Sequence, residues 1–168
     1  MTGAAPAADW IDPATGQPRA DAPLGMLLTA QAHATPDRPA LTIAGRSWSF
    51  SVFDRRANKR ARALLAGGVR PGDRVVLSMP NRVEYLECAF ALWKIGATPC
   101  PVSDRLTEPE FDAILAFLAA PHVIGTASVA HGSVALHDVD SPLDPALSDA
   151  PLEAVLATPG KIATSGGS

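Results

Sequence analysis

The stretch Pro71-Gly72-Asp73-Arg74-Val75-Val76-Leu77-Ser78-Met79-Pro80-Asn81 decides the fold. A Pro-Gly-Asp turn opens into Val75–Met79, a run that is apolar but for one serine, as expected of a strand covered on both faces. Just upstream, Phe53, Ala57, Ala61 and Leu64 recur at helical spacing, with Ser51 and Asp54 read as an N-terminal cap pair and Gly67-Gly68 as the stop. Just downstream, Asn81 with Glu84 reads as a second cap pair. The helix that follows turns Leu86, Ala89, Phe90 and Trp93 to one side, predicted to pack on the sheet, and Gly96 ends it. A second buried strand is expected from Thr98 to Val102. Thr107 and Glu110 form a capping box with Pro109 in the first turn, and Phe111, Ile114, Leu115 and Leu118 point inward from that helix. A third strand reads His122 to Thr126. Helix, strand, helix, strand, helix, strand requires right-handed crossovers onto a parallel sheet, so the fold class is α/β.

Outward from this centre the signals weaken. Leu24 to Thr35 reads as a helix ended by Pro36, and residues 40–50 alternate about Ala44-Gly45 as a β-hairpin. Residues 1–23 have no period and many helix breakers, the pattern of a flexible N-terminal arm. Between 127 and 160, four prolines interrupt every candidate element; a short strand near Val134 to His137 and a helical turn near Leu152 to Leu156 are expected. Lys161-Ile162-Ala163 then reads as a strand opening into Thr164-Ser165-Gly166-Gly167-Ser168.

A chain of 168 residues with 47% hydrophobic content carries one real core. Its net charge of -3 gives no basis for binding nucleic acid or an anionic membrane. No apolar run is long enough to span a bilayer, and the first residues lack the apolar core of a signal peptide. Cys88 and Cys100 stand apart, with no Cys/His cluster, and read as reduced structural residues of a cytoplasmic protein. Arg55, Lys59 and Arg62 line the polar side of their helix and read as a solvated face. His33, His122, His131 and His137 are scattered without an acidic or serine partner at functional spacing.

One segment carries recognisable chemistry. In Thr164–Ser168, glycines leave backbone N–H groups free to turn toward a phosphate, and the hydroxyls add further donors. It is not a Walker loop, because Gly160-Lys161 is followed by Ile162, and no G-x-G-x-x-G occurs. Taken alone, a Ser/Gly-rich stretch is more often a linker.

From Leu24 to Ser168 the sequence resembles the AMP-binding, adenylate-forming superfamily. The resemblance rests on Pro39-Ala40-Leu41, Trp48-Ser49-Phe50, Asn58, Arg62-Ala63-Leu64 and Gly68-Val69-Arg70-Pro71-Gly72-Asp73-Arg74-Val75. It continues through Pro80-Asn81 with Glu84-Tyr85, Gly96-Ala97, Pro101 and Leu106, and ends on the Ser/Thr/Gly-rich loop. Gly167 departs from the commoner Thr or Ser. The resemblance implies an acyl-CoA synthetase-like ligase that joins a carboxylic acid to ATP, with Mg²⁺, and then passes the acyl group to CoA, as in fatty acid metabolism. It further implies that Thr164, Ser165, Gly166, Gly167 and Ser168 hold the ATP phosphates. Residues 24–168 are then the N-terminal part of the AMP-binding domain, cut within the phosphate loop. The adenine, ribose and catalytic-lysine motifs would lie downstream, so no catalytic or metal-binding residue is expected within this stretch, and alone it should be inactive. A homo-oligomer is compatible with the family. Two alternatives are an amino-acid-activating domain that loads a carrier protein, and a non-catalytic α/β module.

Overall fold

The computed structural model describes residues 7–17, 19–126, 134–157 and 160–163. Helix α1 spans Leu24–Ala34 and is followed by a hairpin of β1 (Pro39–Ile43) and β2 (Arg46–Ser49). The turn residues Ala44 and Gly45 both have positive φ, 50° and 76°, the geometry whose twist matches paired antiparallel strands. Then come α2 (Phe50–Ala66), β3 (Arg74–Ser78), α3 (Val83–Lys94), β4 (Thr98–Pro101), α4 (Glu108–Leu118), β5 (His122–Gly125) and β6 (Ala135–Asp138). The last four strands form one parallel sheet in the order β4-β3-β5-β6. Within 7–23, read as a flexible arm, Ala7–Trp10 makes a 3₁₀ turn and Arg19 N–H donates to the Trp10 carbonyl at 2.8 Å.

Side chains of β3 alternate between the two faces of the sheet. Val75 and Leu77 join Leu64, Cys88, Leu92 and Ile95 from α2, α3 and the turn after α3. Val76 lies opposite Cys100 and Val123 and joins Phe111, Leu115 and Leu118 of α4. The three β3 residues are fully enclosed, which is why the strand reads as apolar throughout.

Helix starts were only partly foreseen. The α4 capping box is present: Thr107 N–H donates to Glu110 at 2.9 Å and Pro109 sits in the first turn. For α2, however, the cap is Ser49, whose hydroxyl accepts from Val52 N–H at 3.4 Å, and Asp54 is buried one turn inside. Helix α3 starts after Arg82 with no side-chain cap, and Glu84 accepts from Arg82 rather than pairing with Asn81.

Of the α3 residues expected against the sheet, Ala89 joins the sheet-side core and Trp93 packs on it, but Leu86 and Phe90 do not. Leu86 is 37% exposed, and the row against the sheet is Cys88, Leu92 and Ile95. Phe90 turns toward α1 and α2, meeting Phe53 and Trp93 edge-on at 5.8 and 5.1 Å between ring centres. A third helix explains this. α1 crosses α3 at Gly25, where a Cβ would lie 2.6 Å from the Lys94 backbone, so α3 has two buried flanks rather than one.

Two late elements are absent. Residues 151–157 form no helical turn, because the carbonyls of Ser148, Ala150 and Pro151 are taken by Arg62 rather than by amides one turn on. Residues 160–163 are not a paired strand; Ile162 N–H makes a single bond to the Pro99 carbonyl at 3.3 Å.

Candidate functional site

All four parallel strands deliver their carboxyl ends to one edge of the sheet. The chain leaves β3 for β4 on one side and returns to β5 on the other, with α3 and α4 on opposite faces. Such a switch point opens a crevice beyond the strand ends, the usual ligand position in this class of sheet. A cavity of about 600 Å³ lies at the same carboxyl edge, one strand over from the switch between β3 and β5, bordered by Pro80, Asn81 and Tyr85 after β3 and by Ser103, Asp104 and Arg105 after β4. Its polar lining offers an amide, two hydroxyls, a carboxylate and a guanidinium. Burial pushes the Tyr85 phenol above its ordinary value, so it stays a neutral hydrogen-bonding group near neutral pH. Beside the crevice, Arg82 grips Glu84 and Asp140, each at 2.7 Å, which ties the start of α3 to the segment after β6.

The run toward the predicted phosphate loop is held by side chains. Asn58 donates to the Asp149 carbonyl at 3.0 Å, and Arg62 donates to those of Ser148 and Ala150 at 3.1 and 2.7 Å. Arg55 lies 3.9 Å from the Asp149 carboxylate. The polar side of α2, expected to be solvated, therefore clamps the chain between 145 and 151. Farther on, Val155 sits against Gly96, whose φ of +74° and lack of space for a Cβ both require glycine. The Trp93 indole N–H donates to the Gly160 carbonyl, and Ile162 packs on the α4 side of the sheet. Val155 thus lies beside Gly96, just before β4, and Ile162 lies opposite Pro99 within it. Thr164, Ser165, Gly166, Gly167 and Ser168 themselves lie outside the described residues.

Other polar groups were not legible in the sequence. Asp54 receives hydrogen bonds from Lys94 and Thr29, each at 2.8 Å, and from Asn58 at 3.1 Å, all four residues being buried. Burial drives the Lys94 ammonium below its ordinary value, and the Asp54 carboxylate opposes that drop. Glu87 is buried between Arg56 and Arg60. His122 and His137, read as unrelated, pair at 3.1 Å across β5 and β6, with Asp73 3.6 Å from the His122 Nε2. Parallel pairing of β5 and β6 created that contact. His33 is exposed, and His131 lies outside the described residues. Cys88 and Cys100 are free and buried; burial lifts the Cys88 thiol to about 12, which leaves it unreactive. Among the described residues no group of His, Cys, Asp and Glu could hold a metal ion, and no helix is long and apolar enough to cross a membrane.

A doubly covered parallel sheet with a polar crevice at its carboxyl edge defines the class as an α/β domain with a candidate small-molecule site. The chain belongs to the AMP-binding enzyme family, whose sequence model matches residues 28–162. It is 37% identical over 113 residues to a feruloyl-CoA synthase of Amycolatopsis sp, covering 67% of this chain and 23% of that protein. It is 39% identical over 75 residues to the 2,3-dihydroxybenzoate-AMP ligase of Bacillus subtilis, covering 45% and 14% of the two chains. In structure it resembles the O-succinylbenzoate coenzyme A synthetase of Bacillus subtilis, solved with AMP, at a TM-score of 0.74 and 21% identity, over 83% of this chain and 38% of that one. The chain spans about a quarter or less of the length of the curated relatives it matches. The likeness to solved structures supports the parallel-sheet subdomain and hairpin expected from the sequence.

Proposed function

We propose that this chain is part of an acid–thiol ligase of the acyl-CoA synthetase type. The enzyme activates a carboxylic acid with ATP, releases pyrophosphate and passes the acyl group to CoA. The observation that supports the reading is that Val155 sits against Gly96, just before β4, and Ile162 N–H reaches the Pro99 carbonyl within it, so the last described residues lie beside the strand whose carboxyl end borders the crevice. Backbone N–H groups of Gly166 and Gly167 and the hydroxyls of Thr164, Ser165 and Ser168 would then meet the β- and γ-phosphates. Their work is electrostatic, since negative charge grows on the departing pyrophosphate as the acid attacks the α-phosphorus. Mg²⁺ would accompany the phosphates, and no described residue is assigned to it. CoA is favoured as acceptor because the feruloyl-CoA synthase match runs longer than that to the aryl-AMP ligase. The 39% identity over 80 residues to a fatty acid–acyl-carrier-protein ligase of Streptomyces coeruleorubidus favours a second reading, an adenylating domain that feeds a carrier protein.

Kinetics of the complete protein test the assignment. Thr164→Ala and Ser165→Ala should each lower kcat for ATP-dependent adenylate formation about 10-fold or more while changing KM for the acid little. Unchanged kcat in both would make this segment a linker. Thioester formation with CoA present separates the two acceptor readings.

A further inference from the structure

A cavity of about 280 Å³ opens on the outer side of α2, lined by Arg56, Lys59, Arg60, Glu87 and the 141–143 segment. We propose that it binds a doubly charged phosphate group, held chiefly by Arg60. It shares no lining residue with the carboxyl-edge crevice and stands whether or not Thr164–Ser168 bind ATP.

Arg56, Lys59 and Arg60 fall at i, i+3 and i+4, so one helix presents three cations to one space. A single carboxylate, Glu87, answers them, and it is engaged mainly by Arg56, whose Nε donates to Oε1. Arg60 reaches the other oxygen only at 3.9 Å. Arg60 is 8% exposed, and its buried Nε–H has no hydrogen-bond partner among the described residues. A buried guanidinium donor left without an acceptor is costly, and the acceptor its planar fork fits is an oxyanion. Among the described residues Lys59 is held by a single 3.4 Å contact to the Pro145 carbonyl.

The charges decide the class of ligand. Three cations against one carboxylate leave two positive charges, which match a phosphate monoester near neutral pH. Nearby acids do not enter this cavity. Glu84 and Asp140 are bound by Arg82, and Asp138 and Asp144 line the adjoining cavity instead. That second cavity, about 340 Å³, also touches Arg60; it is lined by Asp138, Asp144 and His137 together with Ala63, Leu64, Ile124 and Leu147, and the apolar residues give room for the body of a small ester.

The test is calorimetric titration of the complete protein with inorganic phosphate and with phenyl phosphate, at ionic strength fixed by NaCl. Saturable binding is expected for both, tighter for phenyl phosphate. It should weaken at least 10-fold in Arg60→Gln and several-fold in Lys59→Gln, whose half-buried side chain is not needed for folding. Thr164→Ala and Ser165→Ala should leave it unchanged. No saturable binding, or binding that survives Lys59→Gln and Arg60→Gln at full strength, overturns the site. So does binding lost in the Thr164 and Ser165 variants alone, which would assign the anion to the nucleotide loop.

Discussion

On one face of the sheet, α4 lays Phe111, Leu115 and Leu118 over Val76, Cys100 and Val123 and buries no charge of its own. On the other, α2 and α3 bury Asp54, Asn58, Arg60, Glu87 and Lys94 beside Leu64, Cys88 and Leu92. The difference lies in what must be located. α4 covers a sheet with one stripe and leaves Phe117, 80% exposed, on its outer side. α2 and α3 must also dock α1 and the 145–151 segment, and directional hydrogen bonds fix those relative positions where apolar contact alone would let them slide. Removing one partner of such a buried pair strands the other, whereas trimming an apolar side chain costs only transfer and cavity terms.

The largest expected effect tests that contrast directly. Asp54→Ala strands Lys94 and should cost about 3–5 kcal/mol in urea unfolding. The double change Asp54→Leu with Lys94→Met should recover much of that, since well-packed apolar replacements of buried pairs are often tolerated. Leu118→Ala on the α4 face should cost about 2–5 kcal/mol with no partner change that recovers it. Equal losses in the single and double Asp54 variants would break the comparison, because the pair would then matter for packing alone.

Smaller effects sharpen it. Thr107→Ala removes the α4 cap and should cost about 1 kcal/mol without touching the rest of the chain. Arg62→Ala should cost less in global stability but speed proteolytic cleavage between 145 and 157, since it frees the carbonyls that the guanidinium holds. Cleavage rates equal to wild type would mean the clamp is idle.

The smallest effect is a slope. Burial, with the neighbouring His122, holds His137 below its ordinary value of 6.5. The unfolded chain therefore binds more protons than the folded one between that lowered value and about 6.5, and stability must fall as pH drops through this window. His137→Gln should flatten the fall, read as urea midpoints at pH 7.5 and 5.5. An unaltered slope would place the pH dependence elsewhere.

By itself the sequence determined the elements whose signals are local. Thr107 and Glu110 meet within one turn, Ala44-Gly45 turns a hairpin, and the unbroken apolar run at Val75–Leu77 requires cover on both faces. These together specify a parallel α/β sheet, and the order of short motifs specified the family. Tertiary structure decided whatever depends on residues far apart in the chain. Asp54 reads as a cap until Lys94, 40 residues on, is brought beside it. Arg62 reads as solvated until the 148–151 segment crosses α2, and His122 meets His137 only because β5 and β6 pair. Periodicity reports that a flank is apolar or polar. Which neighbour arrives on that flank, and so whether a charge there is hydrated or buried in a pair, is fixed only when the helices dock.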